Sequence, residues 1–354
     1  MADTNNTGAA AGAAPANEAA DADVTCSPFL TGIRAVLGER TPGNMALWAL
    51  TAVLLLALVK ESVAPSWTVA WSHPSWGTVN VVPVLGIGVG MVAGFLGGMV
   101  GAFISLFSVP LYTLWLGLPV KVALGTNSLA SAVIGLMAAM VHLSKKTPNM
   151  KVAFPMMATG FLGAGAGAYL SLGMTPEQLK MYFSVLVFGA AFWMLWRAFR
   201  PGTGKGGGFV ATEKQGLLYA GGEWNGVPYR TNILYPAFGN FFIAAVTGII
   251  GVGGGFLFTP MLHAAFGLPM MVAVGTGNFV KVANISSQFI VRGVADTVIY
   301  QLAVFAMMGG YCGANFGRRL GCVVDTRYLR LLFGILLIFV GLQYMGIKLG
   351  LGSA

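Results

Sequence analysis

Apolar runs of about twenty residues, separated by short polar or Gly/Pro-rich breaks, set the pattern of this chain. A helix of about 20 apolar residues covers roughly 30 Å of hydrocarbon, so each run predicts a spanning helix. The first lies at 45–60, "MALWALTAVLLLALVK". A linker with Trp67, Trp71 and Trp76 follows, and tryptophan favours the membrane–water interface. Five apolar elements come next, near 79–100, 103–118, 122–143, 152–171 and 179–198, and form a first block at 79–199. A polar stretch at 200–232 carries Lys205, Lys214 and Arg230 and reads as a cytoplasmic linker to a second block at 233–348. Residues 1–44 read as a disordered tail and lead-in, because the Ala/Asn/Asp/Gly-rich beginning lacks the apolar core of a signal peptide.

The two blocks are related. Residues 98–197 align on 248–347 without a gap, 22 of 100 positions being identical. Gly98, Gly101 and Pro110 fall on Gly248, Gly251 and Pro260. Gly117-Leu118-Pro119 falls on Gly267-Leu268-Pro269, and Gly125-Thr126 on Gly275-Thr276. Gly160, Gly163 and Gly167 match Gly310, Gly313 and Gly317. Shared apolar composition produces chance Leu and Val matches, but it does not keep seven glycines and two prolines in register. The second element of each block is short and broken by Pro110 or Pro260, and such segments at matching places in two halves point to a transporter's binding site.

Basic residues orient the chain. Lys145, Lys146 and Lys151 follow the third element, Arg197 and Arg200 end the fifth, and Arg318 and Arg319 close the fourth element of the second block. Positive charge collects on the cytoplasmic side. Placing all three clusters there requires an odd number of crossings per block, which inverts the second block and puts the N-terminus inside. Arg292 then faces outward as an exception. Re-entrant second elements would instead give four crossings and parallel blocks. The predicted fold is thus an all-α polytopic membrane protein of two homologous, inverted helical repeats with Gly/Pro-broken helices at their interface, multi-pass in the cell (inner) membrane.

Composition supports that class. The chain is 56% hydrophobic and 9% charged, with 51 glycines; a soluble domain carries about a quarter charged residues. The net charge of +9 lies mostly in loops, so it signals topology and not nucleic acid. Cys26, Cys312 and Cys322 show no metal-ligand spacing and read as free thiols. The glycine runs at 86–90 and 251–255 have neither a strand before them nor Lys-Ser/Thr after them, which excludes a nucleotide loop. The second run reads as a backbone break between two elements. Gly86, Gly90, Gly94 and Gly98, four apart, form a smooth helix-packing ridge. No Ser/His/Asp set, paired carboxylates or metal cluster falls in the spans, so neither an enzyme nor a cofactor is predicted.

Candidate chemistry centres on "VGTGNFVKVANISSQFIV", residues 274–291. Lys281 sits mid-span, and a centred lysine costs about 2.5–3.5 kcal/mol on insertion scales. Asn278, Lys281, Asn284 and Gln288 are spaced three, three and four apart, on one helical face. The alternatives are a lysine that snorkels or a stripe that glues helices; a stem of about 6 Å falls short of an interface some 15 Å away. The alignment sets Ser128 and Ser131 opposite Asn278 and Lys281. Each polar helix is expected to start after its Gly-Thr pair, offering N–H groups to an oxyanion. Thr126, Asn127, Ser128, Ser131, Thr276, Asn278, Lys281, Asn284 and Gln288 therefore form one expected anion cage. His263, in the second block's short element, is a candidate proton carrier or a packing residue.

"GIIGVGGGFLFTPMLHAAFGLPMMVAVGTGN" (248–278) and its counterpart "GMVGAFISLFSVPLYTLWLGLPVKVALGTNS" (98–128) resemble the sulfite exporter TauE/SafE family of membrane permeases. The likeness covers about 79–347. It implies a permease for small sulfur-containing anions, sulfite or organosulfonates. Two departures stand out: Phe103, Ile104 and Ser105 occupy the places of Gly253, Gly254 and Gly255, and Gly277-Asn278 replaces the small hydroxyl residue expected after Gly-Thr. An inside-negative potential, worth about 2.3 kcal/mol per charge per 100 mV, drives an anion outward, so export is favoured. The partners expected are a small anionic substrate and the bilayer, with proton coupling and a homo-oligomer left open. An anion channel and a non-transporting scaffold are the rival readings.

Overall fold

The computed structural model describes residues 42–63, 67–73, 77–100, 104–199, 219–224, 227–321 and 326–345. Residues 1–41 of the expected tail and lead-in, and 200–218 of the linker, lie outside the described residues, while 42–44 begin the first helix. Eleven helices and two β-hairpins form among them. α1 is Pro42–Val63, and β1 (Val69–His73) pairs antiparallel with β2 (Gly77–Val81). α2 (Leu85–Val100), α3 (Ile104–Pro110), α4 (Val120–Ser144), α5 (Met150–Gly173) and α6 (Pro176–Phe199) complete the first block. β3 (Tyr219–Trp224) and β4 (Val227–Asn232) pair antiparallel ahead of α7 (Leu234–Ile249) and α8 (Gly255–Pro260). α9 (Met270–Val294), α10 (Tyr300–Gly321) and α11 (Thr326–Tyr344) end the described chain.

Two expectations are corrected here. The architecture is not all-α: residues 77–81, placed in or before the first apolar element, are a strand, and α2 starts at Leu85. The linker is not wholly a loop, since 219–232 is a hairpin. Both hairpins obey the 150-residue offset, β1 and β3 starting at Val69 and Tyr219, β2 and β4 at Gly77 and Val227. α4 and α9 keep it at both ends.

The short second elements show why their prolines matter. Proline has no N–H and crowds the preceding turn, so after Pro110 and Pro260 the chain widens into π-helical turns at Leu111–Trp115 and Met261–Ala265. Gly117 (φ 66) and Gly267 (φ 70) then take left-handed conformations that end the helix. Pro119 and Pro269 launch α4 and α9, their carbonyls accepting from the N–H of Ala123 and Ala273.

Packing exchanges elements between the blocks. Gly86, Gly90, Gly94 and Gly98 of α2 lie against Leu302, Ala306, Gly310 and Ala314 of α10, both helices running the same way. Offset by 150, Gly163 and Gly167 of α5 meet Phe241 and Ala245 of α7. Small residues let backbones approach closely where no hydrophobic force sorts helix from lipid. Equivalent helices meet antiparallel: Ser184 of α6 reaches Gly341 O of α11 at 3.4 Å while Gly334 packs on Leu195. α4 and α9 cross likewise, through Ser128–Arg292 and Gly135–Val282. Each hairpin covers its own block's broken element and the other block's fourth helix. Val81 and Trp71 pack with Tyr112 and Leu302, and Ala220 and Trp224 with Leu262 and Val152.

The outer faces stay apolar, with Leu56, Phe192 and Phe238 exposed at 71%, 72% and 68%. Taken singly, Val120–Ser144 and Pro176–Trp196 are long and apolar enough to cross a membrane.

A methyl group on Gly94 would approach Gly310 Cα to 2.9 Å, whereas Gly189 has nothing within 4 Å. Gly94→Leu should therefore destabilise by about 1–3 kcal/mol or more, and Gly189→Leu should not. Thermal unfolding of the purified proteins checks this. Equal midpoints for the two variants would mean that the glycine ridge does not carry the α2–α10 contact.

Candidate functional site

α9 brings the stripe inward. Asn284 and Gln288 are fully buried, Lys281 is 7% exposed and Asn278 is half-buried. The Lys281 stem lies along the α7–α8 break: a methyl group on Gly255 would come 3.0 Å from its Cδ, and one on Gly253 3.3 Å from its Cε. The equivalent place in the first block holds Ser105 and Ser131, whose hydroxyls are 2.8 Å apart. The departure of Gly253-Gly254-Gly255 from Phe103-Ile104-Ser105 thus has a steric reason at the described positions. Side chains at 253 and 255 would occupy the space of Lys281 and Ile285.

No hydrogen-bond acceptor or counter-charge meets the Lys281 ammonium among the described residues. One turn on from Lys281, Asn284 Nδ2 reaches Asn240 Oδ1 at 3.5 Å, and Asn240 Nδ2 donates to Met156 O at 2.6 Å. Asn284 Oδ1 and Gln288 Nε2 are buried without partners among the described residues. Each such atom costs about 1–3 kcal/mol. An uncompensated cation on one helix face with unpaired amide atoms is the composition of a polar-ligand site. It is not that of a finished packing network.

Arg292 is a site residue the sequence reading left out. It entered there only as an exception to the charge rule, and it is 1% exposed. Its guanidinium donates to Ser128 Oγ (3.0 Å) and Gln288 Oε1 (3.4 Å) through one nitrogen. Through the other it donates to Ser171 Oγ (3.3 Å), Gly248 O (2.8 Å) and Ile249 O (3.2 Å). The last two are carbonyls at the end of α7, which an intrahelical donor no longer serves. A cation there also faces the negative end of the helix dipole. The signal was legible: Lys281, Asn284, Gln288 and Arg292, spaced three, four and four, continue one face.

The expected single cage divides. α4 and α9 do not start after the Gly-Thr pairs but at Val120 and Met270, so Thr126 and Thr276 lie inside helices. Their hydroxyls accept from Ile299 N (3.1 Å) and Asn149 N (3.0 Å), in the turns that lead to α10 and α5. Gly125 and Gly275 let those turns, at Thr297 and Thr147, come close. Asn127 donates to Gly251 O at 2.9 Å and accepts from Ser131 at 3.2 Å and from Ser108. Because α4 and α9 cross antiparallel, Ser128 meets Arg292 and not Lys281. Asn127, Ser128 and Ser131 form a satisfied cluster on the Arg292 side of the crossing, while Asn278, Lys281 and Asn284 lie on the other. His263 Nδ1 pairs with Leu268 O at 2.8 Å, across the π turn.

Outside the spans, Asn149 Nδ2 donates to the Tyr229 hydroxyl at 3.2 Å. Burial raises the pKa of that phenol, partly offset by the amide, so the hairpin holds a neutral tyrosine against the α4–α5 turn. Among the described residues no group of three or more His, Cys, Asp or Glu could hold a metal ion.

Arg292→Gln removes the donor to the Ile249 carbonyl, leaves Gly248 O with the 3.4 Å bond from Gly251 N, and leaves Ser128 and Ser171 only their bonds to Leu124 O and Ala168 O. It should lower the unfolding midpoint well beyond any loss from Lys281→Gln, whose ammonium has no protein partner to strand. Thermal unfolding of both variants checks the order, and the reverse order would show that Lys281, not Arg292, ties the elements together.

The family model described as Sulfite exporter TauE/SafE matches residues 85–344. The probable membrane transporter protein YunE of Bacillus subtilis (strain 168) is 24% identical over 272 residues, covering 73% of this chain and 96% of its own length. A probable membrane transporter protein of Xylella fastidiosa (strain Temecula1) is 25% identical over 268 residues, covering 73% and 93%. One from Haemophilus influenzae (strain Rd) is 22% identical over 232 residues, covering 66% and 82%. No solved structure matches. The matched segment runs from the first residue of α2 to the last of α11, well over half of the chain, and the chain belongs to the Sulfite exporter TauE/SafE family.

Proposed function

We propose that this membrane transporter carries small sulfur oxyanions, sulfite or organosulfonates, outward across the cell membrane, with Lys281 as the anion's buried partner. One observation carries the reading: a buried ammonium without a protein counter-charge among the described residues, on the helix face that also carries Asn284 and Gln288, each with one unpaired amide atom. A charge in a spanning helix is costly and marks a substrate path by default. Donors to the anion are Asn278 Nδ2, the second N–H of Asn284 Nδ2 and Gln288 Nε2, since Asn284 Oδ1 only accepts. Thr126 and Thr276 leave the proposed ligand set because their hydroxyls cap the opposite block's turns. Asn127, Ser128 and Ser131 act at one remove, through Arg292 and Gly251.

Alternating access by inverted repeats is part of the proposal. The antiparallel meeting of equivalent helices, α6 with α11 and α4 with α9, supports inversion over parallel blocks. Inversion in turn puts the basic clusters at 145–151, 197–200 and 318–319, and the N-terminus, on the cytoplasmic side. Export needs no coupling ion, since an inside-negative potential drives the anion out. Glu61 and Glu177 stand in end turns of α1 and α6, so proton coupling, where present, falls to His263, Lys281 or the substrate itself.

Tracer-sulfite counterflow in proteoliposomes tests the reading, with unlabelled sulfite, sulfoacetate, thiosulfate, sulfate and acetate as competitors. Wild type should exchange sulfite saturably, and Lys281→Gln should lose exchange by at least about tenfold, as expected for about 1.4 kcal/mol or more of lost binding. Exchange that survives in Lys281→Gln would make Lys281 a packing residue. Flux without counterflow would favour an anion channel, and no flux of any of these anions would favour a scaffold.

A further inference from the structure

A cavity of about 810 Å³ opens away from Lys281, between the loop into α4, the α5–α6 turn and the end of α11. Lys121 and Lys180 stand on its wall, and no Asp or Glu is among the described residues that line it. Thr113, Thr175 and Gln343 add neutral polar groups, while Leu114, Leu118 and Met174 make an apolar side. Lys121 Nζ donates to Leu172 O at 2.7 Å, which fixes one ammonium at the end of α5. Behind it the Thr113 hydroxyl pairs with the Tyr344 hydroxyl. Gly173 and Gly117 line the cavity with nothing within 4 Å of where a methyl group would project, so part of the wall is open backbone.

Size decides what such a space suits. Small-molecule sites measure about 300–1,000 Å³, and a bare oxyanion of four or five atoms fills little of that. Cations on one side and aliphatic groups on the other match an anion that carries an apolar portion. The second block repeats the arrangement only in part: Arg330 stands at the place of Lys180, but Met271 stands at the place of Lys121, and Trp193 and Met194 at the places of Gln343 and Tyr344. The site therefore belongs to one end of the molecule and is not a by-product of the repeat.

We propose that this cavity binds an amphiphilic anion, an oxyanion headgroup held by Lys121 and Lys180 with its short apolar part against Leu114, Leu118 and Met174. The headgroup chemistry is shared by a soluble alkylsulfonate and an anionic phospholipid, and the test separates them. The site is distinct from the Lys281 site and does not require sulfite to be the transported ion.

Purified full-length protein is titrated with hexanesulfonate, hexyltrimethylammonium and sulfate, and its unfolding midpoint is read. In parallel it is placed in nanodiscs of phosphatidylcholine with or without phosphatidylglycerol. Hexanesulfonate should raise the midpoint saturably, and the cation and sulfate should not. The rise should vanish in the Lys121→Met/Lys180→Met double variant. It should vanish equally in Gly173→Phe, which fills the cavity and leaves both charges, so either variant decides if the other fails to fold. A rise with phosphatidylglycerol but not hexanesulfonate, lost in the same variants, keeps the site and assigns it to a lipid headgroup. A rise that persists in the variants, an equal rise with sulfate, or no rise with any anion overturns the proposal. Sulfite counterflow by Gly173→Phe keeps the two claims apart, since this site can fail while exchange persists and can stand where exchange is absent.

Discussion

Backbone carbonyls that end inside an apolar body must find donors, and most of this structure follows from that demand. A helix that stops short of water leaves four C=O groups without partners, and lipid offers none. α7 stops at Ile249, and its last carbonyls are met by the Arg292 guanidinium from α9. The break that follows is held by Asn127, whose amide donates to Gly251 O. The donors for one block's break thus come from both blocks, so neither block is complete without the other. The helix exchange, α2 on α10 and α7 on α5, is the packing counterpart of the same dependence. Thr126 and Thr276 extend it to the turns, each serving an N–H of the opposite block.

Against that shared frame the two blocks differ where chemistry is needed. Ser131 and Lys281 are equivalent positions, as are Ser105 and Gly255. The first block closes its pair with a hydroxyl–hydroxyl bond, a finished contact. The second block removes one partner and lengthens the other into a lysine. Ile134 and Ala138 become Asn284 and Gln288 on the same face. Four substitutions along one seam convert a closed packing surface into one with an unmatched ammonium and unpaired amide atoms. Stability alone gives no reason to bury them.

Legibility in the sequence followed how local each determinant was. The 150-residue offset and the helical spans were readable because glycine and proline at element ends are dictated by the backbone itself. The hairpins were not: five-residue strands such as "VAWSH" and "GTVNV" carry little periodicity, and the Trp-rich and Gly-rich stretches that contain them look like interfacial loops. The Gly-Thr pairs were misread as helix starts because glycine inside a helix is usually unfavourable. Here Gly125 and Gly275 sit in the second turn of α4 and α9 to admit the turns at Thr297 and Thr147. The polar face of α9 was visible from its spacing, but the partition of its groups between two clusters was not, because that depends on the antiparallel crossing with α4. Arg292 belongs to the same case. Its place on the polar face was readable from the spacing, but only the tertiary structure shows that α7 ends at the same level.

The two buried cations of α9 also explain each other. A guanidinium offers five donors in a fixed fork and suits several fixed acceptors at once, while an ammonium is a compact charge on a flexible stem. Arg292 makes five hydrogen bonds to four elements, all of them to fixed acceptors of the protein. Lys281 makes none among the described residues, and its stem is aimed by the glycines of the break. Exchanging the two residue types would leave the α7 carbonyls under-served and put a rigid, multivalent donor where a small anion has to bind and leave. That division of labour, one cation fixed to hold the break and one left free beside it, ties the break's geometry to the charge of whatever passes. The glycines that make the break are the same residues that admit the lysine.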